Sequence, residues 1–255
     1  MEKGKGKREK TRGKIEKSYK RIEVIDALRG LSVVLMVIHH LLYNIWQFLN
    51  GPRWLFHNPV FDILHYIFAG LFILLSGVSS RLSRDNIRRG AIVIVIAVIL
   101  TYVTVRMVNM PIWFGILHLL GFSMLFYGIT LKFWNAIPKM LAPFIYVPLI
   151  VVSAMAREKM LLTSETVWIR DLLWILGWWQ KGYISTDYFP IFPWIFVFLL
   201  GTWAGWYITE RKLPDSFYSL KPPVFPAIGR KAMLIYILHQ PVLYALVMWI
   251  RQVRR

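Results

Sequence analysis

Eight ionisable side chains stand inside runs that are otherwise apolar: Asp26, Arg29, His39, His40, Asp62, His65, His118 and His239. A charge in hydrocarbon is costly, so such groups face a bundle interior and mark binding or chemistry. His57 lies just outside one of these runs, and Asp187 just before another. Histidine titrates nearest neutrality of all side chains, which suits general-base work. A carboxylate beside it can fix the imidazole tautomer. Arginine carries a planar fork that matches phosphate oxygens. The set therefore fits proton transfer where histidines meet carboxylates, and anion binding where arginines gather.

Each of these groups also has a purely structural use. A histidine can satisfy a hydrogen bond between helices. Asp26 and Arg29 share a helical face and can close a local ion pair at the helix end. An inner arginine can simply meet lipid headgroups. His39 and His40 are adjacent and point to different helix faces, and no two histidines are four residues apart, so a helical zinc-protease pattern is absent. With no cysteine in the chain, thiolate metal sites, disulfides and a cysteine nucleophile are excluded. No metal site is expected.

The elements that must position these groups are membrane helices. The chain has 255 residues, 57% of them hydrophobic, with a mean hydropathy of +0.51. Its apolar residues fall in separate runs of the roughly 20 residues that a bilayer crossing needs. We read spans at about 25–48, 60–80, 90–108, 112–131, 140–156, 190–209 and 231–250. The stretch Val167–Trp179 is apolar but short and holds Arg170 and Asp171, so it reads as a re-entrant or interfacial helix. The expected class is all-α: a polytopic membrane helix bundle of about seven spans, with eight possible. Residues 1–22 form a basic tail lacking the apolar content to fold, and 23–255 form one transmembrane domain.

Charge orients the bundle. The net charge is +18, but ten basic residues against three acidic ones sit between Met1 and Arg21, directly before the first span. That placement suits anionic lipid headgroups and argues against nucleic acid as a partner. On the proposed inner side, the tail and segments 81–89, 132–139 and 210–231 carry 21 basic residues; the outer loops carry six. The start of the chain is thus expected in the cytoplasm, although Arg251, Arg254 and Arg255 would then lie outside. Counting helical rise from each end puts His40, His57, Asp62, His65, His118 and Asp187 near the outer face. Asp26, Arg29, Arg81, Arg84 and Arg230 fall near the inner face, and His239 near mid-depth.

The segment RIEVIDALRGLSVVLMVIHH, from Arg21 to His40, resembles the opening helix of transmembrane acyltransferases related to heparan-alpha-glucosaminide N-acetyltransferase, especially their short bacterial relatives. HNPVFDILHYIFAGLFILLSGVSS, WFGILHLLGFSML, STDYFPIFPWIFVFLLG and IGRKAMLIYILHQPVL continue the resemblance in order, to about Trp249. The spacing of Arg29 and His40, and the closing LIYILHQPVL, also look like membrane O-acyltransferases of the acyltransferase-3 type. The resemblance implies an acetyl-CoA donor on the cytoplasmic side, an acceptor sugar or glycan outside, and residence in a prokaryotic cell membrane. It places the family's outer-loop histidine on His57; the acyltransferase-3 comparison points to His40. The short relatives carry an aspartate four residues after the latter histidine, where this chain has Asn44.

On this reading His57 is the base or acyl-carrying nucleophile. His40, His65 and His118 orient it or donate to the oxyanion, and Asp187 fixes an imidazole tautomer. Asp26, Arg29, Arg81, Arg230 and His239 make up the donor's binding set, with the arginines on the phosphates. A homodimer is compatible with such spans. The competing reading is a transporter with a histidine proton relay, which the absence of a visible internal repeat weakens. A non-catalytic scaffold leaves the intramembrane charges without a purpose.

Overall fold

The computed structural model describes residues 22–108, 112–160, 173–177, 185 and 187–254. Among them every regular element is helical. The order is α1 (Glu23–Phe48), a 3-10 turn (Arg53–Leu55), α2 (Pro59–Leu82), α3 (Asn86–Val103) ending in a π-turn (Thr104–Val108), and α4 (Ile116–Ile129). There follow the short α5 (Leu131–Ala136), α6 (Ala142–Met160), a 3-10 turn (Trp174–Leu176), α7 (Ile191–Thr209), the short α8 (Asp215–Ser219) and α9 (Phe225–Arg230), and α10 (Ala232–Val253). Local sequence explains several boundaries. Asn58 caps α2 by accepting from Phe61 N–H, with Pro59 at the first helical position, and Asp85 caps α3 through Arg88 N–H.

Five helical segments are long and apolar enough to cross a membrane: Glu23–Phe48, Arg53–Leu82, Asn86–Arg106, Ile191–Thr209 and Ala232–Val253. The two other expected spans are present as shorter apolar helices, Ile116–Ile129 and Ala142–Ala156. The first of these starts later than its hydropathy suggests because Trp113–Gly115 is non-helical and tied to the chain around 185–189: Trp113 N–H donates to Ser185 Oγ, and Phe189 N–H to the Phe114 carbonyl. Of the expected re-entrant helix at Val167–Trp179, only residues 173–177 are described, and Trp174–Leu176 form a single 3-10 turn. Arg170, Asp171 and the tail through Arg21 lie outside the described residues.

The bundle is organised around α1, α2 and α7. α2 packs along α7, α3 along α4, α10 and α9 against α1, and α6 against α7. Small residues permit the closest crossing: a Cβ added at Gly77 would meet the Phe198 carbonyl oxygen at 2.0 Å, and one at Gly201 would meet that of Leu74 at 2.0 Å. Ile73, Leu119 and Phe198, all fully buried, fill the core between α2, α4 and α7. Large apolar side chains such as Val95 and Ile99 on α3 and Val151 and Val152 on α6 are exposed, as lipid-facing positions are. The alternation of starting face and far face along the chain puts the ends of α1, α3, α6 and α10 together with the starts of α2, α4 and α7.

Candidate active site

Adjacent positions on α1 turn His39 and His40 toward different neighbours. The His39 ring lies 4.5 Å from that of His65 on α2, and the His40 ring 5.0 Å from that of His239 on α10. Four of the six histidines thus form one layer across three helices. Three of them, His39, His40 and His65, border a narrow cavity with about 30 Å³ of free interior space, lined also by Ser32, Met36 and Asp187. The lining runs down α1 from His40 to Ser32, about 12 Å at helical rise. Ser32 is three residues from Arg29, so the slot ends one turn above that arginine.

Hydrogen bonds hold the far end of the slot. Gln240 Nε2 donates to His40 Nδ1 at 2.8 Å, and Gln240 Oε1 accepts from Asn44 Nδ2 at 3.4 Å. His239 Nδ1 contacts the Tyr236 carbonyl at 2.5 Å. Asp187 Oδ2 accepts from Tyr236 Oη at 2.9 Å and from Ile116 N–H at 3.2 Å. Burial pushes the Asp187 carboxyl up, while the Ile116 N–H, the Tyr236 hydroxyl and the nearby His65 pull it down. Gly115 lies so close that an added Cβ would sit 2.6 Å from Asp187 Oδ2. Among the described residues His39 Nδ1 and His239 Nε2 are buried without a hydrogen-bond partner, and His39 lines the slot. Such atoms are costly unless a ligand or water meets them.

The remaining candidates separate. His57 is exposed on the far face, outside the slot, with its ring against Trp46 at 4.3 Å and Phe56 at 5.5 Å; the Phe56 ring is in turn 5.0 Å from that of His39. His118 is satisfied on both nitrogens: Gly115 N–H reaches Nδ1 and Thr101 Oγ1 faces Nε2, each at 3.3 Å. It secures the start of α4, which carries the N–H that holds Asp187. His239 stands beside His40, away from the arginines. On the starting face, Arg29 pairs with Asp26 at 3.0 Å and donates its other terminal nitrogen to Ser79, which ties α1 to α2. Arg230 is exposed at the end of α9, which crosses α1 where Gly229 meets the Asp26 carbonyl. Arg81 lies on that face too, but lines a different cavity with Lys139 and Trp134. Among the described residues no group of three His, Asp or Glu side chains could hold a metal ion.

Sequence spacing does not reveal Tyr236 and Gln240 as members of the site. Tyr and Gln resemble the many interfacial and helix-end residues of the chain, and only the α1–α10 packing brings them to His40 and Asp187. The signal available was proximity in sequence: all of Tyr236, His239 and Gln240 fall within LIYILHQPVL.

An all-helical bundle with five helices long and apolar enough to cross a membrane, and with a mainly apolar slot edged by histidines inside it, defines a polytopic membrane protein. The chain belongs to the heparan-alpha-glucosaminide N-acetyltransferase catalytic family, whose model matches residues 21–241. It is on that ground a membrane transferase of the acetyltransferase kind. No curated protein and no solved structure matches it.

Proposed function

We propose that the protein moves an acetyl group from acetyl-CoA, bound from the starting face, to an amine or hydroxyl of a sugar or glycan on the far face. The observation that carries the reading is the slot itself: it starts one turn from Arg29 and ends at His39, His40 and His65. Its length and narrow apolar walls suit an extended thioester arm. Arg29 and Arg230 supply positive charge for the donor's phosphates, with Asp26 holding the Arg29 fork in place.

In the transfer step the acceptor nitrogen or oxygen attacks the thioester carbonyl. A base takes the acceptor's proton, the tetrahedral oxyanion collapses, and the C–S bond breaks with CoA leaving as the thiolate, while the base returns its proton to solvent. His57, on the acceptor side and matching the family's outer-loop histidine, is the base. His40, whose Nδ1 accepts from Gln240, keeps its proton on Nε2 and is a donor for the oxyanion. Asp187 orients His65 at the slot wall. Calorimetric titration of detergent-purified protein with acetyl-CoA tests the donor assignment. Saturable heat with CoA competition is expected; no binding up to millimolar donor overturns it.

A further inference from the structure

We propose that the second cavity, between α2, α4, α5, α6 and α7 on the starting face, is a binding site for the phosphodiester headgroup of an anionic phospholipid. The cavity opens to the surface and carries two cations, Arg81 and Lys139, among the rings of Trp134, Trp203 and Trp206. Among the described residues neither cation has a carboxylate partner. Arg81 gives one N–H to Asn135 Oδ1 at 2.8 Å, and Lys139 Nζ gives two to the carbonyls of Trp134 and Asn135 at 2.9 and 3.3 Å. Arginine has five donors and lysine three, so both retain N–H groups for an incoming acceptor. Burial and the neighbouring Arg81 together lower the Lys139 pKa, a repulsion that an anion between the two cations would relieve.

The aromatic walls are fixed rather than available. Trp134 Nε1 donates to Thr130 Oγ1 and Trp203 Nε1 to the Lys139 carbonyl, each at 2.7 Å. The second of these bonds ties the link between α5 and α6 to α7 and sets Lys139 at the rim. The surface beside that rim is apolar: Phe133, Met140, Leu141 and Phe144 are 62%, 74%, 54% and 76% exposed. A ligand with a phosphate head and acyl chains satisfies both halves of this surface. A soluble phosphate satisfies only one. Basic pockets between spans at the membrane surface bind lipid headgroups by this chemistry. The site is also separate from the histidine slot: at the depths between them Ile73 on α2, Leu119 on α4 and Phe198 on α7 are fully buried.

A photoactivatable phosphatidylglycerol, added to full-length wild-type protein in lipid nanodiscs, tests the assignment. Crosslinks are expected within 127–146 and 202–206; labelling confined to other regions overturns it. Native mass spectrometry of Lys139→Gln and Arg81→Gln gives the second reading. Each is expected to retain roughly fivefold less phosphatidylglycerol than wild type, with phosphatidylcholine unchanged. The basic tail is present in all forms, so only the difference counts. Lys139→Gln should bind acetyl-CoA within twofold of wild type. If it loses donor affinity while its lipid retention is unchanged, the cavity belongs to the donor and the lipid site is overturned. Should either variant fail to fold, the wild-type crosslinks decide.

Discussion

Gln240 Nε2 on α10 lies 2.8 Å from His40 Nδ1 on α1, two partners 200 residues apart in the chain. The same amide accepts from Asn44 through Oε1. One side chain therefore ties two helices and sets the tautomer of an imidazole at the slot wall. Asn44 reaches His40 through Gln240 rather than directly.

Replacing Asn44 with Asp should reverse this chain. A carboxylate there only accepts, so Gln240 turns its NH₂ toward it and offers Oε1 to His40, which must then carry its proton on Nδ1. Nitrogen NMR of histidine-labelled protein should show the tautomer of a single histidine exchanging in Asn44→Asp. Unchanged ring shifts would show that Gln240 does not govern His40.

Tyr236→Phe should make stability more sensitive to pH. The Asp187 carboxyl is pushed up by burial, so the folded state holds its proton more tightly than the unfolded chain does. Stability on this account is greatest below the unfolded value and falls as pH rises through the folded one. Tyr236 Oη opposes the shift by donating to Oδ2. Its loss removes a hydrogen bond to a charged group, about 1.5–3 kcal/mol, and extends the fall to higher pH. Melting curves of wild type and Tyr236→Phe from pH 4 to 8 should diverge as pH rises; parallel curves would discount the Asp187 contact.

Much of the bundle was legible because hydropathy reports lipid directly. The expected span 25–48 is α1, 60–80 is α2, 190–209 is α7 and 231–250 is α10, each within a few residues. The opposed aim of His39 and His40 followed from helical geometry alone. Hydropathy misjudged 112–131, because it cannot see that Trp113–Gly115 leaves the helix to bond Ser185 and Phe189. Depth counting grouped Arg81 with Arg29, since both are near one face, but it carries no rotation between helices. Only packing shows that α2 presents Ser79 to Arg29 and Arg81 to Lys139 on another side.

The α2–α7 crossing should tolerate no side chain at Gly77. A Cβ there falls 2.0 Å from the Phe198 carbonyl oxygen and 3.0 Å from the Gly201 Cα, both backbone atoms that cannot step aside. Gly77→Ala must separate the helices, and overpacking of this kind costs about 1–3 kcal/mol or more. A lower melting temperature and a broadened gel-filtration profile are expected. Gly70→Ala is the control, because its nearest atom is the Trp194 ring at 3.5 Å; equal losses in both would remove the close-crossing argument.

The start of the chain should face the cytoplasm, as the 21-to-six asymmetry of basic residues requires. Because the chain has no native cysteine, single thiols report topology cleanly. An impermeant maleimide applied to intact cells should label Arg53→Cys, on the far-face loop, and spare Ser216→Cys on α8. The reverse pattern would invert the bundle and put His57 on the donor's side.

His57→Ala should abolish acetyl transfer while leaving donor binding intact. His57 is exposed beyond the slot, where a water-borne acceptor can reach it, and one ring, Phe56, stands between it and His39. Its removal leaves Arg29, Ser32 and the slot walls untouched, so calorimetry should give the wild-type affinity for acetyl-CoA. Loss of a general base costs about 10²–10⁴ in rate, within reach of single-turnover measurement. His65→Ala locates the base. It lines the slot near Asp187, and if it loses the larger factor while His57→Ala keeps most of the wild-type rate, the proton is taken inside the bundle. His40→Ala also releases Gln240 and the α1–α10 tie. The variant Gln240→Ala separates these effects: it breaks the tie but keeps the imidazole. A rate loss in His40→Ala that exceeds the loss in Gln240→Ala belongs to the imidazole itself. Equal losses in the two would leave His40 with a positioning role through α10 alone.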